Sequence, residues 1–338
     1  MPSSTGWLTD WLPAACNNGH AYCDRVSAAA ASTVGFYAER YSHSDPGVWR
    51  ERLAAGQIWR NGQRLWGDGL LAVGDRLVWH RPPWQEAAVP VLPGPLFDDG
   101  DLVVFDKPSG LPVLPAGGFV LHTVLGQLAQ VAPGARPVHR LGRFTSGLLV
   151  CARSRQARAW LSAQLRDSTP AAAAATGSGS RPQKVYRALL SPPQPGSALL
   201  QLAVGQALHL DTPIGRRPHG RLGSLWCAAA PGDGAALPAR SLLTLLEPRA
   251  DSWLVQVAIA TGRPHQIRIH AAAAGAPLLG DPLYLPGGLA RAEALPGDGG
   301  YQLHAHRLSL SSPDGQRLVV EAPLPPLLQS ALKSDSEG

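Results

Sequence analysis

Residues 139–150 read His139-Arg140-Leu141-Gly142-Arg143-Phe144-Thr145-Ser146-Gly147-Leu148-Leu149-Val150. The passage ties cationic and hydroxyl side chains to the start of an apolar strand, Gly147 to Cys151, in mid-chain. Around it the pattern is strand-rich. Leu102 to Phe105 is a short buried strand. His122 to Val131 has helical spacing. Ser154 to Leu165 suits an amphipathic helix with Trp160, Leu161 and Leu165 inward. Trp253 to Ala260 alternates only weakly, as a strand covered on both faces does, and Gln266 to Ala274 starts a helix. Strands and helices do not alternate regularly. The expectation is an α+β fold with a mixed, largely antiparallel sheet, not a doubly wound one.

Charge narrows the partner. The chain has 30 Lys and Arg against 24 Asp and Glu, a formal charge of +6. From Lys107 to Arg166 stand Lys107, Arg136, Arg140, Arg143, Arg153, Arg155, Arg158 and Arg166 with no acid. From Ser168 to Leu210 there is again none, while Arg181, Lys184 and Arg187 add charge. A solvated surface intersperses both signs, so these runs predict a positive cleft for a polyanion. No apolar run reaches the ~20 residues of a membrane span. Asp10 and Asp24 interrupt any acid-poor leader, which makes the cytosol the default, with chloroplast or mitochondrion the alternative. Cys16, Cys23, Cys151 and Cys227 form no disulfide framework. Cys16 and Cys23 flank His20 but lack the second ligand pair of a zinc site, so no metal is expected. A monomer is favoured.

The chain divides near residue 90. Trp49 to Gly56 reads as a short helix with a glycine stop, followed by a strand into the Asn61-Gly62 turn, and Gly74 to Arg81 as a turn and closing strand. Arg81 to Pro95 is dense in proline and reads as a stiff, extended linker. Residues 170–182 are low in complexity and read as a loop. The tail after Leu328 reads as frayed.

Residues 139–150 resemble the signature of the RluA-type pseudouridine synthases, His-Arg-Leu-Asp-x-x-Thr-Ser-Gly. Further blocks follow in family order across about 97 to 325. Asp101 to Pro112 is similar to the opening strand and Lys-Pro-x-Gly-Leu turn. Lys184-Val185-Tyr186-Arg187-Ala188 matches the strand that carries the family's active-site tyrosine. Thr261 to His270 matches Thr-Gly-Arg-x-His-Gln-Ile-Arg-x-His, with Gly280 to Tyr284 and Leu303-His304-Ala305 after it. Residues 1–88 resemble, more loosely, an α-L (ribosomal-S4-like) RNA-binding module with Arg50, Arg52 and Arg60 toward phosphate.

The resemblance implies a pseudouridine synthase fold, with a bisected sheet, flanking helices and a cleft across the middle. It implies domains at 1–88 and 97–327, a linker at 89–96 and a tail at 328–338. It implies uridine-to-pseudouridine isomerisation in structured RNA, ribosomal or transfer, with no cofactor. Tyr186 and Arg268 take the catalytic positions. Lys107, His139, Arg140, Arg143, Thr145, Lys184, Arg263, His265, Gln266 and His270 are placed toward RNA. Gly142 stands where the family has its catalytic aspartate, so Arg268 is expected to lack its carboxylate. Three readings stay open: a synthase with a relocated acid, Asp106 or Asp281; a non-catalytic RNA-binding protein or RNA chaperone; or another chemistry in the same cleft.

Overall fold

The computed structural model describes residues 10–41, 43–166, 183–311 and 316–331. It divides into two units, one of residues 14–87 with 218–225, the other of the remainder. The expected loop at 170–182 lies outside the described residues.

In the smaller unit β1 (His20–Arg25), α1 (Thr33–Arg40), α2 (Pro46–Ala54), β2 (Ile58–Arg60), β3 (Gln63–Arg64) and β4 (Arg76–Arg81) follow in order. The four strands form one antiparallel sheet in the order β1-β4-β2-β3. Helix α2 starts earlier than its apolar spacing suggests, because Asp45 caps it. The Asp45 carboxylate accepts from Gly47 N at 2.7 Å and Val48 N at 3.1 Å, and Pro46 occupies the first turn. Aromatic rings fill the core. Tyr37 stacks on Trp49 at 4.6 Å, and the Arg52 guanidinium lies 4.3 Å from the ring centres of both Trp49 and Trp79. Arg52 therefore packs on indoles, and Arg60 pairs with Asp75 at 2.7 Å. Of the three arginines expected at phosphate, Arg50 is the exposed one.

The larger unit is built on a ten-stranded sheet. Its elements are β5 (Phe97–Asp98), β6 (Leu102–Lys107), α3 (Val124–Val131), β7 (Arg136–Pro137), β8 (Thr145–Ala152), α4 (Arg155–Arg166), β9 (Gln183–Leu190), β10 (Ala207–Leu210), β11 (Ser241–Pro248), β12 (Trp253–Ile259), α5 (Gln266–Ala273), β13 (Leu303–Ser311) and β14 (Arg317–Glu321). The main order is β10-β11-β12-β9-β13-β8-β6-β5, with β7 on β8 and β14 on β13. All pairings in it are antiparallel except β8 with β13. The sheet is thus mixed and largely antiparallel, as expected.

The apolar runs have both faces to cover, and the pleat sorts them. Val103, Phe105, Leu149 and Cys151 pack with Val124 and Leu128 of α3. Leu102, Val104, Leu148 and Val150 pack with Leu161 and Leu165 of α4 on the other side. Ser154 caps α4 by accepting from Ala157 N at 3.0 Å, and Asp101 fixes Ser154 in turn.

The proline-dense segment is extended but is packed rather than free. Val89 and Leu92 are buried in the α3-side core, and Gln127 clamps the backbone by accepting from Leu92 N and donating to Pro90 O. The expected frayed tail is tied down through Ala331, whose N–H and the Ser330 hydroxyl both donate to Glu247. Residues 332–338 lie outside the described residues. Among the described residues no helix is long and apolar enough to cross a membrane.

At the sheet's centre Gly147, Ala305 and Tyr186 are register partners across β8, β13 and β9, and β9 shifts register against β13 at Val185/Tyr186. Gly147 has φ of 98°, and a Cβ there would meet the Ala305 carbonyl oxygen at 2.3 Å. Backbone cannot retreat as a side-chain end can. Gly147→Ala should therefore cost about 3 kcal/mol or more, from overpacking and a disfavoured φ together. Urea unfolding checks this, and an unshifted midpoint would contradict it.

Candidate active site

A cleft of about 150 Å3 opens beside the central strands, lined by His139, Arg140, Lys184, Tyr186, Arg263 and Arg307 among others. No carboxylate is among the described residues that line it. Three separate motifs converge here: Arg140 from the turn before β8, Lys184 and Tyr186 from β9, and Arg263 from the turn before α5. Arg307 on β13 was not anticipated. Burial raises the Tyr186 phenol to about 12, so it enters any reaction protonated. Lys184 donates to the Leu165 carbonyl, and burial draws it down to about 8. Arg263 donates through Nε to Pro238 O at 3.0 Å.

Other expected RNA contacts serve the scaffold. Lys107 is fully buried and donates to the carbonyls of Pro108, Leu111 and Arg143. Three acceptors take its three protons and leave none for a phosphate. Arg143 donates to Gly110 O and lies over Phe119 and Phe144. Gln266 is buried; it accepts from Thr261 Oγ1 and Arg263 N and donates to Arg240 O and Ser241 Oγ. His270 must donate through Nε2 to Thr212 O, so its Nδ1 accepts from Ser241.

His265 starts α5 in the left-handed region, at φ 54°. Its Nδ1 lies 2.6 Å from the Tyr284 hydroxyl, which itself donates to Trp226 O. Nδ1 therefore carries the proton. His139 accepts from Val150 N through Nε2.

Burial lowers His139 and His265 from 6.5 to about 3, and His304 to about 4. The unfolded chain takes up these protons near 6.5; the folded chain resists until about 3 to 4. Their contribution is full above 6.5 and is lost as pH falls through this window. The melting temperature should fall from pH 7 to pH 5, less steeply in His139→Gln. A flat profile would contradict this.

Arg268 is not left without a carboxylate. Its Nε and a terminal nitrogen each donate at 2.7 Å to the two oxygens of Asp281, whose side chain is 0% exposed. Asp281 also accepts from Leu283 N and Tyr284 N. A carboxylate so occupied is a structural anchor, which removes it as a relocated acid. Asp106 is half-buried and held at about 6 by burial, against Lys107 and the Gly147 N–H. It is not among the residues that line the cleft. Arg153, one of the apparently unopposed arginines, chelates Asp98 at 2.7 and 2.8 Å. Opposition absent along the chain is present in space.

Gly142 is exposed and does not lie in the left-handed region. An ideal Cβ there would stand 2.6 Å from the Tyr301 hydroxyl and 3.2 Å from Thr145 Oγ1. Tyr301 itself is 2% exposed, with the Arg268 guanidinium 4.2 Å from its ring centre. No motif marks Tyr301; its place two residues before Leu303-His304-Ala305 was the available signal.

Residues 101–273 match the family model described as RNA pseudouridylate synthase. The chain is 40% identical over 300 residues to an uncharacterized RNA pseudouridine synthase of Synechocystis, covering 87% of this chain and 94% of that one. It is 35% identical over 371 residues to RNA pseudouridine synthase 5 of Arabidopsis thaliana, covering 93% and 95%. Among solved structures it is similar to human RNA pseudouridylate synthase domain containing 1, with a TM-score of 0.48 at 24% identity, over 70% of this chain and 86% of that chain.

Proposed function

Because the chain belongs to the RNA pseudouridylate synthase family, we propose that it isomerises uridine to pseudouridine in structured ribosomal or transfer RNA. The observation that carries this reading is the cleft in which Tyr186 stands among Arg140, Lys184, Arg263 and Arg307, the last of them paired with Glu321, with no carboxylate among the described residues that line it. A flipped nucleotide brings a phosphate on each side and one flat base. The cations suit the phosphates, and the protonated phenol of Tyr186 suits the base edge. The reaction cleaves the bond from N1 to ribose C1′, turns the base and joins C5 to C1′. Its net proton change is one proton from C5 to N1. The protein would act where its RNA is, in the cytosol by default or in an organelle.

The bare Gly142 favours a second reading, an RNA-binding protein or RNA chaperone that holds RNA in the same cleft without chemistry.

One experiment separates the two. Purified protein is incubated with total RNA lacking pseudouridine, and new sites are mapped by carbodiimide-based sequencing. New sites support the isomerase. Salt-sensitive RNA binding without any site supports the second reading, because each neutralised phosphate releases counterions. Absence of binding at low salt overturns both.

A further inference from the structure

Isomerisation requires a group on the sugar side that holds C1′ while the base turns. Gly142 offers no atoms for this, and Asp281 is saturated by Arg268 and two backbone N–H groups. Neither Asp106 nor Tyr301 is among the residues that line the cleft of Tyr186, but of the two it is Tyr301 that comes within 4 Å of the Gly142 Cβ position. The Tyr301 hydroxyl stands beside Gly142. Its 2.6 Å from the ideal Cβ is close to the separation of a carboxylate oxygen from its own Cβ. Structure does not use up this hydroxyl: its hydrogen-bond contact is a long one, 3.4 Å to Thr145 Oγ1. Two neighbours hold the ring. Arg268 lies over one face, and Phe144 meets it edge-on at 6.4 Å. Tyr186 and Phe144 both pack against the apolar cluster that contains Tyr301.

We propose that the Tyr301 hydroxyl is the catalytic group at the ribose, which rests on the isomerase reading above. Its Oη bonds to C1′ as the N1–C1′ bond breaks. The electron pair leaves with N1, which takes up the phenol's proton. After the base turns, C5 attacks C1′, the C1′–Oη bond breaks with its pair returning to the tyrosine, and the C5 proton passes to that oxygen. One proton has moved from C5 to N1, and the enzyme is regenerated. A tyrosine nucleophile at an anomeric carbon has a chemical parallel in sialidases. Half-buried Phe144 is the side chain an incoming nucleotide displaces to reach the hydroxyl.

The test is Tyr301→Phe, which keeps the ring under Arg268 and removes one oxygen. Pseudouridine formation on the RNA identified by mapping should fall about a thousandfold or more, with RNA affinity and melting temperature unchanged. Undiminished turnover overturns the role of Tyr301 and leaves the isomerase reading intact. A wild-type protein that binds RNA and modifies nothing overturns both. If the phenylalanine variant folds poorly, fluorotyrosine placed at 301 keeps the shape and acidifies the phenol. The pH–rate profile then moves to lower pH; an unmoved profile overturns the proposal.

Discussion

Gly142→Asp alone should be less stable than wild type by about 1 to 3 kcal/mol, the usual range for overpacking. The backbone allows the side chain, because φ is not left-handed; space opposes it. The Tyr301 hydroxyl, 2.6 Å from the new Cβ, must retreat, and the ring is buried against Arg268 and Phe144. In Gly142→Asp/Tyr301→Phe the nearest ring carbon stands 4.0 Å from that Cβ, an ordinary contact. The double variant should recover most of the loss, and a double-mutant cycle should give a coupling of about 1 kcal/mol or more. It should also form pseudouridine through the new carboxylate, while the single variant does so poorly. Thr145 Oγ1 is near enough to orient that carboxylate. Arg268, already committed to Asp281, can lend it only part of its charge. A single variant as stable and as active as the double would show that glycine and tyrosine are not linked.

Arg268→Met should cost about 3 to 5 kcal/mol, because it leaves the fully buried Asp281 charge without its partner. Asp281→Leu is no remedy, since Leu283 N and Tyr284 N would lose their acceptor. Asparagine keeps an oxygen for both. Arg268→Met/Asp281→Asn should therefore be more stable than Arg268→Met by urea unfolding. Equal midpoints would mean that the buried charge is neutralised by another route.

Much of the fold was legible because it is local. Apolar runs without alternation marked β6, β8 and β12, and the amphipathic spacing marked α4. Motif order placed Lys184, Tyr186 and Arg263 in one site. Motif membership did not distinguish cleft from scaffold. Lys107, Gln266 and His270 belong to the matching blocks yet spend their polar atoms inside the protein. The expectation of an unpaired Arg268 failed for a similar reason. Charges oppose one another in space, and Asp281, thirteen residues away, enters the sequence reading as a candidate relocated acid, not as the partner of Arg268. Apart from its place beside the Leu303-His304-Ala305 block, nothing marked Tyr301, because the hydroxyl it meets, that of Thr145, lies 156 positions earlier. No periodicity or spacing rule reaches that far.

The position of β13 also governs how the molecule is made. One half of the sheet, β5 to β8, is complete once residue 152 exists, and the other, β9 to β12, once residue 259 exists. No strand of one half pairs with a strand of the other; β13 lies between β8 and β9 as their shared neighbour. During synthesis both halves must wait with unpaired inner edges, the state in which strands are most prone to pair with the wrong chain. The row of Gly147, Ala305 and Tyr186 closes in that last step. A chain that stops before residue 303 lacks Ala305, Arg307 and Leu308 of the cleft lining, so the cleft is completed late in translation.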